Sequence, residues 1–105
     1  MATIAEQNDA LRRLGAGGSL FVTAGIAGLP LEAQTAILAH VRDFDAFTPD
    51  NDPYREHDFG SFGFGEHTIF WKIDYYDKKL EMGSPDPADP VVTRRVLTVL
   101  LSEEY

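Results

Sequence analysis

Asp58-Phe59-Gly60-Ser61-Phe62-Gly63-Phe64-Gly65-Glu66-His67-Thr68-Ile69-Phe70-Trp71-Lys72-Ile73-Asp74-Tyr75-Tyr76 is the stretch on which the fold turns. It contains two runs of strand-forming residues in which alternate positions carry large apolar groups, the period of a pleated strand. Gly65-Glu66 fits a two-residue hairpin turn, with Gly65 where the backbone must take a positive φ. That turn sets a register. Phe64 stands opposite His67, Phe62 opposite Ile69, Gly60 opposite Trp71 and Asp58 opposite Ile73. Alternating with these pairs are Ser61 with Phe70, Phe59 with Lys72 and His57 with Asp74. Ile69, Trp71 and Ile73 then share one face and point into the core, and Gly60 leaves room for the Trp71 indole.

Working upstream, Thr48 to His57 is polar and carries two prolines with an Asp/Asn cluster, which predicts a loop. Before it, Pro30 opens a helix whose apolar stripe is Leu31, Ile37, Leu38, Val41 and Phe44, fading near Phe47 ahead of Pro49. Ser19 to Ala24 reads as a short strand broken by Gly25 and Gly28. At the start, Thr3-Ile4-Ala5-Glu6 is a capping box, Ile4, Leu11 and Leu14 recur at helical spacing, and Arg12-Arg13 suits the last turn before Gly15. Gly15-Ala16-Gly17-Gly18 follows a helix and precedes a strand. That is the reverse of a dinucleotide-binding turn, so it reads as a helix end.

Downstream, Asp77-Lys78-Lys79 is a turn, with a short strand possible through Met82. Gly83 to Pro90 is a proline-rich connector, and Asp89-Pro90 is a helix-start signal. Val92, Val96, Val99 and Leu100, widened by Leu97 and Leu101, predict a last helix with a broad buried face. The expected architecture is one α+β domain over 1–105: three helices on an antiparallel three- or four-stranded sheet, in the order α-β-α-β-β-α.

Composition bounds the function. With 44 % hydrophobic and 11 % aromatic residues among 105, the chain can bury a core. It has no cysteine, so disulfides and thiolate metal sites are excluded. No apolar run reaches membrane-span length, and Met1 to Arg13 lacks the apolar core of a secretory signal, which sets a cytoplasmic expectation. Seventeen acids against nine bases give a net charge of −8. Such a chain is repelled by nucleic-acid backbones and anionic membranes, and suits a basic protein surface.

Two constellations could carry function. If the hairpin register continues, His57 meets Asp74, with Glu56 and Asp58 adjacent and Asp50 and Asp52 just upstream. A carboxylate beside an imidazole is what a general base or metal site needs, and an ion pair at the sheet end is the plainer use. The glycine and terminal glutamate of a calcium loop are missing. The second constellation is Phe59, Phe70 and Tyr76 with Lys72 between them, on the face opposite Trp71. Left uncovered by helices, these rings form a protein-binding or dimer surface. No serine lies in a nucleophile elbow, no phosphate loop is present, and no catalytic residue, metal ligand set or cofactor is assigned.

Further motifs carry a resemblance. Phe44-Asp45-Ala46-Phe47-Thr48, Asp50-Asn51-Asp52-Pro53, Glu56-His57-Asp58-Phe59-Gly60, Phe70-Trp71-Lys72-Ile73-Asp74-Tyr75-Tyr76-Asp77, Gly83-Ser84-Pro85-Asp86-Pro87-Ala88-Asp89-Pro90 and Thr93-Arg94-Arg95-Val96-Leu97-Thr98 resemble the bacterial family catalogued as domain of unknown function 3768. The resemblance implies an accessory protein of plasmids or other mobile elements, encoded near antirestriction-type genes, and brings no catalytic residues. The leading expectation is an interaction module that binds a basic, nucleic-acid-binding host protein, with homodimerisation compatible. The rival expectation is a metal-assisted hydrolase or nuclease using His57, Asp74, Glu56 and Asp58.

Overall fold

The computed structural model describes residues 2–105. The elements are α1 (Ile4–Leu14), β1 (Gly18–Val22), α2 (Ala24–Ala27), α3 (Leu31–Asp43), β2 (Phe59–Phe64), β3 (His67–Tyr76), β4 (Arg94–Leu101) and a closing 3-10 turn, Ser102–Glu104. The α+β class holds, with three α-helices and four strands among the described residues, but the order is α-β-α-α-β-β-β rather than α-β-α-β-β-α, α2 lying where only a glycine break was expected. The sheet is mixed rather than antiparallel: in the order β1-β4-β3-β2, β4 runs antiparallel to β3 and parallel to β1.

The hairpin forms in the expected register, from Phe64 opposite His67 to Phe59 opposite Lys72, with Gly65 at φ 60°. Ile69 and Trp71 are fully buried. A Cβ built on Gly60 would overlap the Trp71 indole, so the glycine is where the ring lies. The Thr3–Glu6 capping box is present in both directions, and Gly15 closes α1 in the left-handed conformation.

The predicted last helix is instead β4, one of the two inner strands. Val96, Thr98 and Val99 are β-branched, and Arg95, Leu97, Val99 and Leu101 alternate onto the core face. Leu100, opposite Phe70 on the other face, is buried as well, which erases the period of two in the sequence. Asp89 caps a turn rather than a helix: its carboxylate accepts from Val91 N and its carbonyl from Val92 N. Glu104 accepts from Leu101 N, Thr23 Oγ1 and Gly25 N and ties the chain end to α2. In the helices, Leu14 and Leu31 are exposed rather than on the apolar stripes, and α3 ends at Asp43, short of Phe47.

All three helices lie on one face. The core unites Leu11 of α1, Ile26 of α2 and Ile37 and Val41 of α3 with Ile69, Trp71, Ile73, Leu97, Val99 and Leu101. Each strand residue in that set belongs to the Trp71 face. Among the described residues, no α-helix lies over the opposite face. Among the described residues, no helix is long and apolar enough to cross a membrane.

Gly60→Ala is expected to lower unfolding stability by about 2 kcal/mol, through overpacking against Trp71. Gly63→Ala, where a Cβ meets open space, should be neutral or slightly stabilising. Urea denaturation of the two variants separates these outcomes.

Candidate functional site

The helix-free face is built by the strand residues whose side chains point away from Trp71. Across the sheet, Phe21 of β1 stands beside Thr98 of β4, Thr98 beside Lys72 of β3, and Lys72 beside Phe59 of β2. The next row joins Leu100, Phe70 and Ser61, and Tyr76 pairs with Arg94 at the sheet end. Phe59 and Phe70 meet edge to face at 5.3 Å, and Tyr105 meets Phe70 at 5.7 Å. Phe59, Phe70 and Tyr76 are half-buried, while Phe21 is 58 % exposed. Lys72 Nζ donates to Asp74 Oδ2 at 2.5 Å, and this bond raises the lysine's pKa. Acids stand at both sheet ends: Asp77 and Glu81 after β3, and Glu66 and Glu103 at the other end, where the Glu104 carboxylate is engaged by α2.

His57 does not stand opposite Asp74. The strand pairing stops at Phe59, extended only by Ile73 N donating to Asp58 O at 2.8 Å. His57 takes φ 55°, which turns the chain out of the strand path. Buried Asp52 holds that turn, its Oδ1 accepting from Glu56 N at 3.0 Å and His57 N at 3.2 Å. The imidazole then reaches α1: Nδ1 lies 3.0 Å from Asp9 Oδ1, and Nε2 lies 3.7 Å from Asp52 Oδ2. Its ring stacks on Phe47 at 3.9 Å with planes 3° apart.

Asp9 is shared. Arg12 Nη2 donates to it at 2.8 Å, and Arg12 Nη1 donates to the carbonyls of Val41, Arg42 and Phe44. The last carbonyls of a helix need donors, and this buried guanidinium serves two of them, on Val41 and Arg42, together with the C-cap carbonyl of Phe44. It lies 5.0 Å from the Trp71 ring and 5.5 Å from that of Phe47, a cation–π enclosure. Burial pulls its pKa down, and the hydrogen bond it donates to Asp9 pushes back. Nearby, fully buried Asn8 donates to Glu56 O and Tyr75 Oη and accepts from Arg95 Nε, while Tyr75 Oη donates to Glu56 Oε1 at 2.8 Å. Burial and that carboxylate hold the Tyr75 phenol well above its ordinary pKa.

The four residues expected to act together thus go to different partners: His57 to Asp9, Asp74 to Lys72, and Glu56 to Tyr75. Asp58 is half-buried near Glu56. Among the described residues, no three His, Asp or Glu side chains lie close enough to hold a metal ion. Asp50 is exposed in the loop. Chemically, the cluster orients one imidazole and clamps α1 to α3 and to the 48–58 loop. Sequence reasoning missed Asn8, Asp9, Arg12, Tyr75 and Arg95. For Asn8 and Arg12 a signal existed, since Asn8, Leu11 and Arg12 fall on one face of α1 at helical spacing.

Arg12→Met is expected to cost about 3 kcal/mol, because it strands buried carbonyls and one side of Asp9. Arg13→Met, on the exposed side of α1, should stay within about 0.5 kcal/mol. Asp58 supplies a pH test. Desolvation, then the neighbouring Glu56 charge, raises its pKa above 3.8. The folded state therefore holds this proton more tightly than the unfolded state, so ionised Asp58 costs stability at neutral pH. That cost is relieved as pH falls from the raised value towards 3.8. Asp58→Asn should raise the melting temperature at neutral pH, with the gain vanishing below that window.

No curated protein and no solved structure matches the chain. The model of the family described as protein of unknown function (DUF3768) matches residues 22–104, from the last residue of β1 through the closing 3-10 turn. The chain belongs to that family.

Proposed function

We propose that this protein is a non-enzymatic interaction module: a cytoplasmic accessory protein of a bacterial plasmid or other mobile element that binds and occupies a basic, nucleic-acid-binding host protein, as an antirestriction-like inhibitor does. The observation that carries this reading is the helix-free sheet face, where Phe59, Phe70, Tyr76 and Tyr105 lie between acid-bearing sheet ends. Aromatic rings give a partner apolar contact area at low entropy cost, and a net charge of −8 speeds encounter with a cationic surface. The family resemblance supports the mobile-element setting.

The test is capture from a bacterial extract on immobilised protein, with Asp74→Lys combined with Tyr76→Ala as the comparison. The expected partner carries a basic surface, is displaced by duplex DNA, and is lost between about 50 mM and about 500 mM salt, as screening of surface charges requires. The double variant should weaken its capture about tenfold, the worth of roughly 1.4 kcal/mol. A captured protein insensitive to salt, to DNA and to both substitutions would contradict the reading.

A further inference from the structure

Strand β1 is an open edge. It pairs only with β4, all five of its residues are exposed, and Leu20, Phe21 and Val22 are 49, 58 and 36 % exposed. Thr23 N donates to Val99 O, continuing the β1–β4 ladder. By alternation, the backbone groups of Ser19 and Phe21 face β4, while those of Gly18, Leu20 and Val22 face outward with no strand to receive them. Edge strands in monomers are usually blunted by lysine, proline or a bulge. Gly18-Ser19-Leu20-Phe21-Val22 has no lysine or proline and pairs in unbroken register.

Charge tells what can dock there. In a chain of net charge −8, the stretch from Leu14 to Leu31 holds no charged residue at all. The strand itself offers a cationic partner no acid, and Glu104 at its end is already engaged by Thr23 Oγ1 and Gly25 N. Two copies of the chain, which repel each other elsewhere, can meet here without opposing their acids. The other edge, β2, is bounded by Asp58 and Glu66, and α3 shields its Phe62 and Phe64 through His40.

We propose that β1 is the seam of a symmetric dimer, in which a second copy adds its own β1 antiparallel to this one. The outward-facing residues then pair: Leu20 opposite the partner's Leu20, and Gly18 opposite the partner's Val22. Each pair exchanges two backbone hydrogen bonds, and the contact is self-complementary, as a two-fold requires. The partner's Leu20 stands on the helix side, beside a mostly apolar groove of about 400 Å³ lined by Leu11, Leu20, Leu38 and Leu97, with Arg12 and Arg42 also in its wall. The two-fold lies perpendicular to the sheet, so all helices stay on one side. The bare faces of the two four-stranded sheets become one continuous surface.

Sedimentation equilibrium of the whole chain tests this, with Leu20→Pro and Leu20→Lys as variants. Proline removes only an outward N–H, so the ladder to β4 survives. Lysine sets two like charges against each other across the seam. At about 0.1 mM, in the range of modest edge-pairing interfaces, the wild type should run at twice 11.6 kDa and both variants at 11.6 kDa with a cooperative melt retained. If either variant fails to fold, amide exchange in the wild type decides: dilution should speed exchange at Leu20 and Val22 and leave Phe21 unchanged. A wild type at 11.6 kDa, a dimer that persists in both folded variants, or exchange at Leu20 and Val22 that ignores dilution overturns the proposal.

Discussion

Pairing of β4 with β3 on one side and β1 on the other is the constraint the rest of the structure depends on. It brings residues near the end of the chain between its middle and its beginning. Trp71 opposes Val99, and Leu20 opposes Leu97. The helix-side core can close only once this strand is in place, because Leu97, Val99 and Leu101 supply the layer on which Ile26, Ile37 and Val41 pack. Long-range pairings of this kind must overcome loop-closure entropy before they contribute, which predicts cooperative folding with no separately stable half.

The same strand divides the molecule into two unlike surfaces. Its core-facing residues recruit every helix to one side. Its other face, with Thr98 and Leu100 beside Lys72 and Phe70, stays open. On the helix side buried contacts hold the elements together: Arg12 donates to the end of α3 and Asp9 bridges it to His57, while Arg12 Nε and Trp71 Nε1 have no hydrogen-bond partner among the described residues. This clamp fixes the 48–58 loop and engages His57 and the backbone of Glu56. The aromatic face is built from regular strand positions and carries no such obligations.

The parts of the fold legible in the sequence were local ones. A two-residue turn and a clean alternation specified the β2–β3 register down to the glycine under the indole, and Thr3 with Glu6 announced the first helix. β4 was misread because burial on both faces leaves an apolar run with no period, and Asp89-Pro90 imitates a helix start. His57 was misplaced because a positive φ ends the strand just before the pair that would have joined it to Asp74. Its true partner, Asp9, lies 48 residues away on α1, and nothing in a single sequence connects them. Of the candidate residues, Phe59, Phe70, Lys72, Asp74 and Tyr76 share one face as read, whereas Asp52, Glu56 and His57 belong to the clamp.

Native-state amide hydrogen exchange across β4 tests this account most directly. If the strand is an inner strand of the sheet, the amides from Val96 to Leu100 exchange only through global unfolding, with the same free energy as denaturant unfolding. Exchange of those amides through a local opening well below that value would mean the segment can leave the sheet. The division into a helix-covered face and an open aromatic face would then not stand.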